Sequence, residues 1–290
     1  MAAAVLIMGA TGTVGGATLA ALRASGADAV AFVRDPRRAA ELLGAEQPVR
    51  VGDLRDPESV TAALEGIDCV LLCSGNDPAL RELQLNAVAA IAGSDVRRAV
   101  KISASPVATG GDSPSRVGRD HAEIEEALRA TGRETVAIRP NVFMQQFLAQ
   151  APAIANGVVP GPEGARVSFI DARDIGAVAA VALTADEPPP PVVELTGPQA
   201  LTWYQVADAM SDVLGRRITH YPLSAAGLAD GLRAMGRPDW MVEHAVELAS
   251  LLREPKAAQV TDTVERLTGR PARPLTEFLT DNAAAFAAAA

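Results

Sequence analysis

The chain has 290 residues, 49% hydrophobic and 21% charged, with a formal net charge of -9 and a pI near 4.9. That composition excludes a disordered chain, and the acidic balance gives no attraction toward nucleic acid or anionic lipid. The length exceeds a usual domain of about 100 to 200 residues, which predicts one large unit plus a smaller lobe.

Met1 to Met8 is apolar, but it has no basic leading segment and soon meets a glycine turn. It reads as a buried strand over Ala3 to Met8, not as an export signal or membrane span. Further apolar runs at Ala29 to Val33, Pro48 to Val51, Cys69 to Cys73, Arg98 to Ile102 and Thr135 to Ile138 predict five more strands. Helical periodicity covers Val14 to Arg23, Arg37 to Leu43, Pro57 to Leu64, Ala79 to Ala92 and Arg119 to Ala130. Asp56-Pro57 marks a helix start, and Gly44, Gly66, Gly93 and Gly132 sit where helices stop. Six strands alternating with five helices predict an α/β chain built on a parallel, doubly wound sheet. Cys69 and Cys73 share one apolar run, where they do not bridge each other, and read as buried reduced thiols of a cytoplasmic protein.

After Arg139-Pro140 the alternation fails, and Pro152, Gly157, Pro160, Gly161, Pro162 and Gly164 mark a looped stretch. Val167 to Ile170 and Val192 to Leu195 read as strands, and Asp174 to Leu183 as a small-residue helix suited to close packing. Pro188 to Pro191 is a stiff surface connection. Thr202 to Leu214 and Met241 to Leu252 are amphipathic helices of a second lobe, and Ala283 to Ala290 is a terminal helix or a frayed tail. The expected division is a nucleotide-binding core over 1–155, rejoined by about 167–195, with 156–166 and 196–290 forming the lobe. No internal repeat is visible.

The first strand runs directly into Gly9-Ala10-Thr11-Gly12-Thr13-Val14-Gly15, and a helical pattern begins at once. Gly9 permits a tight exit, Gly12 lets backbone amides approach a pyrophosphate, and Gly15 allows close helix packing; Thr11 and Thr13 add hydroxyls. The helix N-terminus supplies amide donors and its positive dipole end. Strand, turn and helix together indicate a nicotinamide dinucleotide.

The end of the second strand reads Phe32-Val33-Arg34-Asp35-Pro36-Arg37-Arg38. An acidic residue there would hold the adenosine ribose, a basic one a 2′-phosphate. Arg34, assisted by Arg37 or Arg38, selects NADPH over NADH, with Asp35 on the ribose as the alternative. Gly52-Asp53-Leu54 follows the third strand, where Asp53 either flanks the adenine or opens a helix.

With that turn, Gly52-Asp53-Leu54, Lys101-Ile102-Ser103-Ala104 and Arg139-Pro140-Asn141-Val142-Phe143-Met144-Gln145, the sequence resembles the NmrA-like family, atypical relatives of the short-chain dehydrogenases. The likeness continues through Phe169 to Ile175 and Leu195-Thr196-Gly197-Pro198. The resemblance implies a Rossmann domain with a small C-terminal substrate lobe and NADPH across the strand ends. It does not imply one activity, since the family contains quinone reductases, azoreductases, reductases of secondary metabolism and redox sensors.

Ordinary short-chain dehydrogenases use a tyrosine and a lysine four residues later. Aligned on that helix, Val117 stands at the tyrosine position and His121 at the lysine position, and no Tyr-x-x-x-Lys spacing exists anywhere. Tyr204 and Tyr221 lie far downstream. Reducing a ketone creates an alkoxide in need of a proton, whereas a quinone delocalises the new charge, so positioning beside the nicotinamide does more of the work. His121, with an unperturbed pKa of about 6.5, is the candidate donor, and Glu125 one turn on is expected to favour its charged form. The alternative is a helix-start histidine contacting backbone or water.

Ser103 is a candidate substrate-binding hydroxyl or a strand-end serine. Lys101 is a cofactor or loop contact; Pro140, Asn141 and Phe143 face the nicotinamide, and Cys73 and Ser74 complete the cofactor set. Met144, Gln145, Phe147, Phe169, Trp203, Met235, Trp240 and Met241 are candidates for an apolar pocket between the lobes, each with a core role as alternative. His220 and His244 lack metal-ligand spacing, and no Gly-x-Ser-x-Gly elbow is present. The leading reading is an NADPH-dependent oxidoreductase acting on a planar quinone or aromatic polyketide-like compound, without nucleic acid or membrane and with a homodimer allowed. A redox sensor with a protein partner and a non-redox enzyme of natural-product biosynthesis are the alternatives.

Overall fold

In the computed structural model, residues 4–287 are described, so Ala3 of the first expected strand and the last three alanines lie outside it. The chain begins β1 (Val5–Met8), α1 (Thr13–Ala24), β2 (Ala29–Val33), α2 (Pro36–Leu43), β3 (Val49–Val51), α3 (Pro57–Ala63), β4 (Cys69–Leu72), α4 (Leu80–Ala92), β5 (Arg98–Ile102), α5 (Arg116–Ala130) and β6 (Glu134–Pro140). Then follow α6 (Gln146–Ala149), α7 (Ala151–Ala155), β7 (Val158–Pro162), β8 (Arg166–Val167), α8 (Ala172–Thr184), β9 (Val192–Leu195) and β10 (Leu201–Thr202). The C-terminal part holds α9 (Trp203–Leu214), β11 (Thr219–Leu223), α10 (Ala225–Ala234), α11 (Asp239–Leu251), α12 (Thr263–Thr268) and α13 (Leu275–Asp281), with single 3-10 turns at Pro255–Ala258 and Ala283–Phe286.

Seven strands pair in parallel in the order β3-β2-β1-β4-β5-β6-β9, the doubly wound Rossmann-type arrangement. Strands buried on both faces are uniformly apolar here, as Val5–Met8 and Cys69–Leu72 show. One face packs on α1 and α8, where a side chain at Gly176 would run into the backbone of Ala17, so the two helices touch closely. The other face packs on α3, α4 and α5. The strand order reverses between β1 and β4, which places a ligand crevice beyond their C-terminal ends.

Several expectations needed correction. The stretch around Pro160 is not merely looped, because β7 pairs in parallel with β11 as a small separate sheet. Of the next expected strand, Val167 to Ile170, only Val167 joins a ladder, as the second residue of β8. Beyond it, Ser168 N donates to the Ala257 carbonyl and Ile170 N to the Val142 carbonyl, so the segment is stitched to two loops instead. Helix α5 begins a turn earlier than its apolar pattern, because Ser115 caps it by accepting from Gly118 N at 3.3 Å.

A second core gathers Met144, Phe147, Ile154, Val159 and Phe169 with Trp203, Met210 and Phe278. This lobe is fastened to the N-terminal end of α8 by Arg173, which pairs with Asp171 and Asp281, and by an ion pair between Arg273 and Asp174. Among the described residues, no helix is long and apolar enough to cross a membrane.

Candidate active site

The glycine turn adopts the geometry its residues allow. Gly9 has φ 75°, a conformation other L-residues rarely enter, and a Cβ at Gly15 would overlap the Gly9 carbonyl oxygen. Gly12 N closes the turn on Gly9 O at 2.9 Å. Gly12 is also the N-cap of α1 and brings no side-chain acceptor, whereas Asp35 and Asp56 cap α2 and α3. The first-turn amides of α1 are thus left for an outside acceptor, at the positive end of the helix. Thr11, Gly12 and Thr13 are exposed above this cradle, with Val14 and Gly15 buried beneath. A dinucleotide pyrophosphate fits these donors.

Past β2, Arg34, Arg37 and Arg38 are exposed. The competing Asp35 accepts from Arg37 N and Arg38 N at 2.9 and 3.2 Å, so its carboxylate serves the α2 cap. Asp53 accepts from Arg55 N at 2.9 Å and does not cap α3, which removes its helix-entry role; Leu54 beside it is half-buried. Cys73 and Ser74 are half-buried just past β4, with the Ser74 hydroxyl accepting from Gln84 Nε2 at 2.9 Å.

Between β5 and α5 lies a buried polar cluster. Lys101 in β5 and Ser103, the residue just past its end, are about 6.6 Å apart along the extended chain, and His121 and Glu125 are about 6 Å apart along α5, so two side chains from each segment meet. Lys101 Nζ lies 2.6 Å from His121 Nδ1 and donates to the Ile102 carbonyl at 3.2 Å. Ser103 Oγ donates to Glu125 Oε1 at 2.5 Å, and Arg139 holds both Glu125 oxygens at 3.0 and 2.5 Å. Lys101 is wholly buried, and His121 keeps 6% of its surface.

Burial pushes the Lys101 amine down to about 7, opposed by the nearby Glu125 and Cys73 and assisted by Arg139. Burial, then Lys101 and His244, hold His121 well below the ordinary imidazole value. This corrects the sequence reading. The imidazole is neutral at pH 7, and Glu125 is turned toward Ser103 and Arg139 instead of supporting a charged ring. His244, on α11, meets Asn76 Nδ2 at 3.1 Å through its Nε2, bringing the lobe over the end of β4.

Other candidates take structural roles. Asn141 donates to Ser168 Oγ and to the Ala257 carbonyl, both at 2.8 Å, and accepts from Val142 N. Its amide ties the sheet to the lobe and is not available to a cofactor. Met144, Phe147 and Phe169 are buried to 1% or less in the lobe core, Phe169 stacking edge-on with Trp203 at 5.1 Å, so they pack the lobe and do not line a pocket. Gln145 holds the start of α8, donating to Asp171 Oδ1 and accepting from Ala172 N at 3.0 Å each. Met235 is exposed, while Trp240 and Met241 on α11 and Phe143 after β6 are half-buried. Pro140 is buried at the end of β6. Sequence reasoning missed the role of Arg139 as the counter-ion of Glu125, the Gln84 support of Ser74 and the Asn76–His244 contact.

Residues 9–186 match the profile of the NAD(P)H-binding family. The chain is 35% identical to the NAD(P)H azoreductase of Xenophilus azovorans, over 98% of this chain and all of that one. It is 28% identical to quinone oxidoreductase 2 of Escherichia coli, over 94% and 96% of the two chains. Among solved structures, an NADPH-dependent quinone oxidoreductase of Escherichia coli complexed with NADPH superposes with a TM-score of 0.85 at 26% identity, covering 96% of this chain and 99% of that one.

Proposed function

The chain belongs to the NAD(P)H-binding family, and on that premise we propose that it is an NADPH-dependent oxidoreductase of the NmrA-like branch that reduces a planar conjugated acceptor, a quinone or aromatic polyketide-like compound. The observation that carries the reading is the uncapped first turn of α1 beneath Gly9 to Gly15, joined to a strand-end site that lacks the tyrosine and lysine of ordinary ketone reduction. The 35% identical relative is a reductase of azo compounds, and the 28% identical one a quinone oxidoreductase; both names describe conjugated acceptors.

In this reading the Thr13 and Val14 amides that open α1 and the hydroxyls of Thr11 and Thr13 hold the pyrophosphate, Gly12 N being closed on Gly9 O. Arg34 and Arg38 take the 2′-phosphate, a role left to them because Asp35 caps α2. Asp53 and Leu54 flank the adenine, while Cys73, Ser74, Pro140 and Phe143 border the nicotinamide end. The bound nicotinamide supplies the hydride. Trp240 and His244 on α11 cover the acceptor from the lobe, which makes the α/β core the cofactor unit and the lobe the acceptor unit. His121 donates a hydrogen bond to the acceptor oxygen from its Nε2, since Lys101 occupies Nδ1.

Incubation with NADPH and a panel of quinones, following nicotinamide absorbance, tests the proposal. Saturable NADPH binding with no turnover of any acceptor would overturn the enzymatic reading.

A further inference from the structure

Reduction of a quinone by two electrons consumes one hydride and one proton, and the dinucleotide brings only the hydride. We propose, resting on the reductase reading above, that Lys101 is the proton store of the acceptor site and passes its proton through His121 to the oxyanion that hydride transfer leaves.

The geometry supplies the route. Lys101 Nζ is 2.6 Å from His121 Nδ1, and its second contact is only a backbone carbonyl, which cannot take the proton. With Nδ1 accepting, the neutral ring carries its hydrogen on Nε2 and can donate there while being reprotonated behind. The step balances. The hydride forms a bond to the quinone, the quinone oxygen takes the Nε2 proton, and Nδ1 takes one from the Lys101 ammonium. Lys101 ends as a neutral amine that solvent recharges after the hydroquinone leaves. The store is poised for this, because a buried amine falling to about 7 is charged below neutrality yet releases its proton readily. Glu125, Cys73 and Arg139 face Lys101, and His244 faces His121 from α11. Glu125 is held by Arg139 and Ser103, so it favours the ammonium without accepting its proton.

A triarylmethyl cation dye separates the relay from a structural role, because hydride addition to the carbocation gives a neutral product and needs no proton. Lys101→Met should slow quinone turnover about 100-fold, the scale of general acid catalysis, and leave dye reduction within about twofold. Wild-type quinone turnover should fall as pH rises through about 7, and that fall should vanish in Lys101→Met. Equal loss with both acceptors, or an unaltered pH profile, would overturn the relay while leaving the reductase reading in place.

Side-chain nitrogen NMR of the protein without cofactor gives a second readout. It should show an unprotonated Nδ1 on His121 and a lysine amine titrating near 7, both lost in Lys101→Met. A His121 protonated on Nδ1, or no lysine titrating near neutrality, would overturn the relay whatever the activity. Absence of turnover by the wild type with every acceptor would instead remove the reading on which it rests.

Discussion

Replacing Lys101 with Met should make the folded chain more stable, and more so in acid. A lysine whose amine is held at about 7, against 10.5 in an unfolded chain, binds its proton less tightly when folded. The fall corresponds to about 5 kcal/mol of destabilisation. The sign follows from linkage. Below about pH 7 both states carry the proton and the penalty is complete; between about 7 and 10.5 only the unfolded chain keeps it, so wild-type stability rises; above 10.5 the penalty is gone. Methionine removes the penalty but leaves His121 Nδ1 without its partner, at a cost of about 1 to 3 kcal/mol. Glu125 is not orphaned, because Arg139 and Ser103 still hold it. The net gain near pH 6 is therefore about 2 to 4 kcal/mol, which raises the melting temperature by about 4 to 8 °C at about 2 °C per kcal/mol. By about pH 10 the variant should be no more stable than wild type. Thermal unfolding followed by circular dichroism across that range is the assay. A variant that is less stable near pH 6, or a difference that does not change with pH, would refute the buried amine as described.

Arg34→Asp should weaken NADPH binding by about 10- to 100-fold, the worth of a charge-assisted pair to the 2′-phosphate, and leave NADH binding within a few-fold; calorimetric titration with both cofactors checks it, and an equal effect on both would contradict the contact. Gly15→Ala drives a methyl into the Gly9 carbonyl oxygen, so it should cost about 1 to 3 kcal/mol of stability and abolish saturable cofactor binding. Asn141→Ala removes the hydrogen bonds donated to Ser168 and to the Ala257 carbonyl and those accepted from Val142 N and Ser105 Oγ, so it should cost about 2 to 4 kcal/mol and raise hydrogen exchange at residues 255–258 and 168–170 while the central strands stay protected.

The sheet could be read from the sequence because strands buried on both faces must be apolar throughout, and the helices between them stop at glycines such as Gly44, Gly66 and Gly132, which take positive φ. The same rule hid β7. Val158–Pro162 contains two prolines and a glycine, which argue against a central strand, yet a two-stranded edge sheet tolerates them because one partner, β11, is enough. Ser168 to Ile170 looks like a strand for the opposite reason. Its apolar residues are buried, but its backbone donors go to Ala257 and Val142, and nothing in local composition announces partners so distant in the chain. The lobe core drew Met144, Phe147 and Phe169 away from the expected pocket because large apolar side chains carry no mark that distinguishes packing from lining.

The buried polar cluster between β5 and α5 shows where local reading stops and topology begins. Alternation on β5 and a four-residue step on α5 were both visible, and together they bring Lys101 and Ser103 to the same layer as His121 and Glu125. What spacing could not give was the pairing. Glu125 lies one turn from His121, which suggests that it supports a charged ring, but Arg139 arrives from β6, an element away, and takes both carboxylate oxygens. Its claim is the stronger because a guanidinium meets a carboxylate in bidentate fashion and an imidazole cannot. With Glu125 so engaged, the group left to face His121 is Lys101, a cation, and two buried cations at 2.6 Å cannot both keep their protons. On the proposed relay, the missing tyrosine and lysine of the helix do not leave the site without a proton. A lysine stands beside His121 after all, reached from the neighbouring strand, and its position keeps the imidazole neutral where sequence alone suggested a charged ring.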